Sequence, residues 1–153
     1  MKLSAARVQA WLAGLWAGCT LSVGAVAAPS LFAVLSRELA GQGAGRIFAV
    51  EARISLFVAI VLFVLERQRV RKQEEQGSGN GSAMSAELIL VLVALFLTVL
   101  GQFALQPALE AAKAGQPGRL SFGALHGISA SLFWVKIVVL MALSWRMNGR
   151  TSS

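Results

Sequence analysis

The residues that usually carry chemistry are scarce in this chain. It has one cysteine and one histidine in 153 residues, so no intrachain disulfide and no cysteine-based metal cluster can form. The lone thiol, Cys19, sits inside an apolar run and reads as a small packing residue. There is no nucleophile elbow, no phosphate-cradling glycine loop and no pair of carboxylates at glycosidase-like positions. The sequence therefore reads as a non-enzyme with no metal and no cofactor. Charge is scarce too: 14% of residues are charged against 56% hydrophobic, outside the balance of a water-soluble domain. The alternating segments of about ten residues that membrane barrel strands require are also missing.

What the chain does have is four apolar blocks of about twenty residues, the length a helix rising about 1.5 Å per residue needs to cross a hydrocarbon core roughly 30 Å thick. They run from Val8 to Ala28, Ile47 to Leu65, Leu88 to Leu105 and Phe122 to Trp145. The expectation is all-α: one four-span membrane domain over 1–153, made of a hairpin at 8–71, a flexible linker at 72–84 and a hairpin at 85–147. Its first partner is the lipid bilayer, with a second copy or another membrane subunit as a further expectation. A net charge of +7 does not point to nucleic acid, because the basic residues flank the apolar blocks, where they meet headgroups, and no nucleic-acid motif accompanies them.

The flanking charges also suggest an orientation. Lys2, Arg7, Arg67, Arg69, Arg71, Lys72, Arg146 and Arg150 fall on one side, and Arg37, Arg46, Arg53, Lys113 and Arg119 on the other. The positive-inside rule then puts both termini and the linker in the cytoplasm of a bacterial inner membrane. The start of the chain imitates a cleavable signal, with Ala25-Val26-Ala27 as the small-residue site. Its apolar stretch is longer than a signal core of 7–15 residues and Pro29 crowds the bond. Trp16-Ala17-Gly18-Cys19 resembles a lipoprotein site, except that Trp occupies a small-aliphatic position. The first span is therefore expected to be retained.

Two stretches are nearly the same: AGQGAGRIF at 40–48 and AGQPGRLSF at 114–122. Each follows a proline, Pro29 or Pro107, and each opens an apolar run that reaches Ile-Ser six residues after its phenylalanine. This pattern reads as two parallel-repeat helical hairpins meeting at equivalent hinges. Gly14, Gly18 and Ser22 share one face of the first span, and Gly123, Gly127 and Ser131 one face of the fourth, as close helix packing would use.

Intramembrane ionisable groups are functional candidates by default, because lipid exposure is costly. With the second span starting at Ile47 and the fourth at Phe122, Glu51 and His126 each lie four residues in, about 6 Å below the non-cytoplasmic face. Gln102 reaches a similar depth from the third span. Glu51, Arg53, Gln102 and His126 are therefore the candidate ligand-binding residues, with Arg53 able to turn toward headgroups instead. Lys136 lies deeper, with no carboxylate expected at its depth, and either snorkels along a bent helix or takes part in proton movement.

The elements Ala28-Pro29-Ser30-Leu31-Phe32, Gly45-Arg46-Ile47-Phe48, Pro107 and Phe122-Gly123-Ala124-Leu125-His126-Gly127 resemble the transmembrane protein 205-like family, also called domain of unknown function family 4149. That resemblance implies a small four-helix integral membrane protein without an established activity. A second likeness, of Trp11-Leu12-Ala13-Gly14-Leu15 to the HemJ-type protoporphyrinogen oxidases, implies a haem- or porphyrin-linked oxidoreductase. The histidine that precedes the tryptophan in those enzymes has no counterpart here. The leading expectation is a protein that handles a small solute or ion, or an accessory membrane subunit, with the porphyrin enzyme as the alternative.

Overall fold

A computed structural model describes residues 5–77, 84–116 and 118–150. Lys2, the central part of the linker, Pro117 and residues 151–153 lie outside these. The described residues are all-α, and four helices are long and apolar enough to cross a membrane: α1 (Ala5–Val34), α2 (Arg37–Glu75), α3 (Ala86–Lys113) and α4 (Phe122–Gly149).

Local chemistry sets the ends of these helices. Ser36, Ser85 and Ser121 each cap the following helix by accepting from the backbone N–H three residues on, at 3.4, 3.1 and 3.2 Å, satisfying one of the donors a helix start leaves free. Glu38 and Glu87 add negative charge in the first turns of α2 and α3, which the helix dipole favours. Gly77 and Gly115, at φ +68° and +72°, lie just past the ends of α2 and α3 in the left-handed conformation that suits glycine.

Consecutive helices are antiparallel, and α1 packs on α2 and α4, as α3 does. Helices α2 and α4 therefore run parallel across a diagonal of the bundle. The half nearer the termini is tightly packed. Ala13, Trp16, Ala59, Leu62, Val91, Ala94, Leu140 and Leu143 bury almost completely there. The half nearer the α1–α2 and α3–α4 connections is looser.

In that looser half the repeat becomes visible in three dimensions. Helix α1 widens into a π-helical turn at Val23–Ala27, where Ala28 N–H reaches the Val23 carbonyl. Helix α3 does the same at Leu100–Leu105, where Gln106 N–H reaches Gly101. Each widened turn ends two residues before a proline, Pro29 or Pro107. A proline lacks its own N–H and clashes with the carbonyl four residues back, and a widened turn relieves both problems without breaking the helix.

The two similar stretches diverge, however. Residues 40–48 lie inside α2, because that helix starts at Arg37 and not at Ile47 as expected from the sequence. In the second hairpin α3 ends at Lys113 and α4 starts at Phe122. The second stretch has a proline, Pro117, where the first has Gly43, and a proline removes a backbone donor that a regular helix uses. The expected small-residue seams are also corrected. Gly18, Ser22, Gly123, Gly127 and Ser131 are exposed, and a Cβ added at Gly18, Gly123 or Gly127 would meet nothing within 4 Å. The close approach is at Gly24 instead, where a Cβ would lie 2.6 Å from the Phe133 ring. Residues 72–75, expected in the linker, are helical, since α2 extends through Glu75.

Candidate functional site

The diagonal pair of helices explains how the central site forms. Glu51 lies fourteen residues after Arg37 and Lys136 fourteen after Phe122, each about 21 Å along its helix. Because α2 and α4 are parallel and capped at equivalent serines, the two side chains arrive at one level. Phe48 and Phe133, related by the same offset, meet edge to face at 5.0 Å between centroids.

Lys136 Nζ donates to Glu51 Oε1 at 2.8 Å, to Glu51 Oε2 at 3.1 Å and to Ser55 Oγ at 2.9 Å. Both charged side chains are 4% exposed. The expectation that Lys136 has no carboxylate at its depth, or snorkels to water, is thus overturned. The error lay in starting the second and fourth spans at Ile47 and Phe122, when Ser36 and Ser121 set the true register, about three turns away.

The pair belongs to a wider network that α1 completes. Thr20 Oγ1 donates to Glu51 Oε1 at 2.8 Å, and Ser55 Oγ donates to the same oxygen at 2.6 Å. Trp16 Nε1 donates to Ser55 Oγ at 2.7 Å. An indole N–H can only donate, so Trp16 and Lys136 together occupy the acceptor side of the Ser55 hydroxyl and aim its proton at Glu51. Every member is buried and bonded, the condition under which a charged network in low dielectric holds. The sequence reading missed Thr20 and Trp16, and a signal for them existed: both lie on the face of α1 that also carries Ala13 and Ala17.

The network floors a cavity of about 390 Å³ that extends toward the α1–α2 and α3–α4 connections and touches all four helices. Glu51, Gln102, His126 and Lys136 all line it. Gln102 is partly buried on the α3 wall. His126 is exposed, stacked on Phe122 at 5.9 Å between centroids, and sits ten residues before Lys136, about 15 Å nearer the mouth. Glu51 and His126 therefore share a cavity, but at different depths. Arg53 does not line the cavity; it is exposed on the outer face of α2, since two residues turn a helix by about 200°. The walls carry Phe32, Phe48, Phe133 and Trp134, and glycines 41, 45 and 101 leave room between them. Among the described residues no group of three or more His, Cys, Asp or Glu side chains could hold a metal.

A second charged layer closes the opposite, termini-bearing end. Glu66, fully buried, accepts from Gln9 Nε2, Arg69, Ser85 Oγ at 2.7 Å and Arg150 Nη1 at 3.2 Å. Glu87 accepts from Arg146 Nε at 2.9 Å and pairs with Arg150. These contacts gather Arg69, Arg146 and Arg150 at one end of the bundle, as the charge pattern led us to expect.

No curated protein and no solved structure matches the chain. A family model, described as a domain of unknown function (DUF4149), matches residues 11–117, which takes in most of α1 and all of α2 and α3 and stops short of Lys136 and His126. With Glu51, Ser55, Thr20 and Gln102 inside the match and well over half of the chain covered, the chain belongs to the DUF4149 family.

Proposed function

We propose that this is a small inner-membrane protein that binds a small, partly apolar solute in the cavity above Glu51 and Lys136. The observation that carries the reading is the cavity itself: about 390 Å³, walled by all four helices, with mostly apolar sides that carry a few polar groups and a charged floor. A volume of several hundred Å³ with few, convergent polar groups is typical of small-molecule sites. A buried ion pair in a membrane is costly, and its place at the base of an open space gives that cost a use. Arg69, Arg146 and Arg150 lie with the termini at the packed end, which supports termini in the cytoplasm and a cavity mouth on the other face.

The test is ligand-induced stabilisation and direct binding of small amphipathic compounds to the purified protein in lipid nanodiscs. Gly101→Leu places a side chain in the cavity, where a Cβ meets nothing within 4 Å, and is expected to abolish binding while the protein remains folded. Gly18→Leu, equally unobstructed but on the exterior of α1, is expected to leave binding intact. Equal effects of the two substitutions overturn the reading. So does a visible absorption band from bound porphyrin that disappears in His126→Ala, which would favour the redox-enzyme alternative.

A further inference from the structure

The inference rests on the cavity reading and concerns what occupies it. The floor is asymmetric. Glu51 keeps two hydroxyl donors, Thr20 and Ser55, that do not depend on Lys136, and Trp16 holds the Ser55 hydroxyl in its donating orientation. The carboxylate is thus prepared to remain an anion if Lys136 withdraws. Lys136 has no such reserve: apart from Glu51 it touches Ser55 Oγ, and it lies 5.7 Å from the centroid of the Phe133 ring. Glu51 Oε2, in turn, accepts from Lys136 alone among the described residues, so one of its lone pairs is open to a visitor.

Above this anion the walls are aromatic, with Phe32, Phe48, Phe133 and Trp134 lining the cavity. Aromatic faces attract a cation through the ring quadrupole, and a carboxylate set among them makes a recognition site for quaternary or other organic ammonium groups. Lys136 over Phe133 already occupies such a position as the internal occupant.

We propose that the cavity takes a small aromatic or alkyl organic cation, which displaces Lys136 from Glu51 as Lys136 releases one proton. The exchange balances. One positive charge enters and pairs with Glu51, the Nζ–H bond of Lys136 breaks heterolytically leaving a neutral amine, and one proton departs to water. The charge of the site is the same before and after, so no net charge is added to a low-dielectric floor. The other titratable and charged groups around Lys136 are few. On α1 Cys19 is near enough to be felt electrostatically. On α3 Glu110 and Lys113 pair with each other at 3.5 Å on the cavity wall. On α4 His126 lies toward the mouth, and on α2 Arg53 is exposed and does not line the cavity.

The experiment uses the full chain in nanodiscs and three probes of one shape: benzyltrimethylammonium, its neutral isostere neopentylbenzene, and the anion benzylsulfonate. The quaternary cation carries no dissociable proton, so any proton released comes from the protein. Calorimetric titration in two buffers of different ionisation enthalpy counts it. The expected result is binding of the cation at least tenfold tighter than the other two, with one proton released and affinity rising by up to tenfold per pH unit. Glu51→Gln is expected to weaken cation binding at least tenfold. Lys136→Met is expected to bind the cation with no proton release and no pH dependence.

Proton counting on the unaltered protein needs no variant to fold. Tight cation binding without proton release overturns the exchange, and equal or tighter binding of the neutral or anionic probe overturns the cation assignment while the cavity reading stands. Failure of all three probes, in a protein with a cooperative unfolding transition, overturns the proposal and the cavity reading together.

Discussion

Removing the ammonium of Lys136 tests how much of the bundle's stability hangs on its central network. In Lys136→Met the stem is replaced at nearly equal volume, so little cavity forms and the cost is electrostatic. Glu51 loses both bonds from Nζ; Oε1 keeps Thr20 and Ser55, while Oε2 is left without a donor. Breaking a buried pair on one side typically costs about 3–5 kcal/mol. The two surviving hydroxyl donors favour the lower end, about 3 kcal/mol. Glu51→Gln strands the ammonium instead and should cost a similar amount.

The double variant removes both charges. Its glutamine still accepts from Thr20 and Ser55, so it should return to within about 1 kcal/mol of the parent, consistent with replacement of buried pairs by neutral groups. A coupling energy of about 5–7 kcal/mol follows from these three figures. The assay is equilibrium unfolding in mixed micelles, read from tryptophan fluorescence, to which Trp16 contributes from within the network. If each single variant lies within about 1 kcal/mol of the parent, or the double equals the sum of the singles, Glu51 and Lys136 do not hold one another and the account of the floor fails.

Gly24→Ala should destabilise by about 1–3 kcal/mol through overpacking against Phe133, whereas Gly45→Ala, with nothing within 4 Å of the new methyl, should be neutral or stabilising by up to about 1 kcal/mol, as thermal unfolding of the pair will show. Glu66→Gln weakens a buried acceptor of two arginines and should cost about 2–3 kcal/mol. Glu75→Gln removes an exposed pair with Arg71 and should change stability by less than about 0.5 kcal/mol in the same unfolding assay. In a Cys19→Ala background, a cysteine at Gln116 should react with a membrane-impermeant maleimide added to whole spheroplasts and one at Gln76 should not; the reverse labelling would invert the proposed topology. Arg53→Ala, at an exposed position that does not line the cavity, should leave ligand binding unchanged in the nanodisc titrations.

The span count and the all-α class were legible in composition and length alone, because a membrane permits an isolated hydrophobic segment few structures other than a helix. The likeness of the two hairpins was legible only at Pro29 and Pro107, each preceded by a widened turn; the matched stretches 40–48 and 114–122 are not equivalent hinges, since the first lies inside α2. Glu51, Gln102 and His126 could be named as polar intruders in apolar runs, and the structure gathers them around one cavity. Arg53 stood out for the same reason and sits outside, since a period-3.6 helix that points Glu51 inward must point Arg53 away.

The partner of Lys136 was the one feature no local rule could supply. Depth along a helix depends on where the helix starts, and starting α2 at Ile47 instead of Arg37 placed it about three turns out of register with α4. The caps at Ser36 and Ser121 hold the correct register, yet nothing in either segment says that these two helices stand on a diagonal with their side chains meeting through the centre. By itself the sequence determined what each segment is: a membrane-crossing helix and the few polar groups it carries inward. Only the tertiary structure decided which of those groups meet. Pairing across eighty-five residues of chain depends on the packing order of four helices and on their axial register, and both are set by the summed fit of many apolar contacts rather than by the residues that end up bonded.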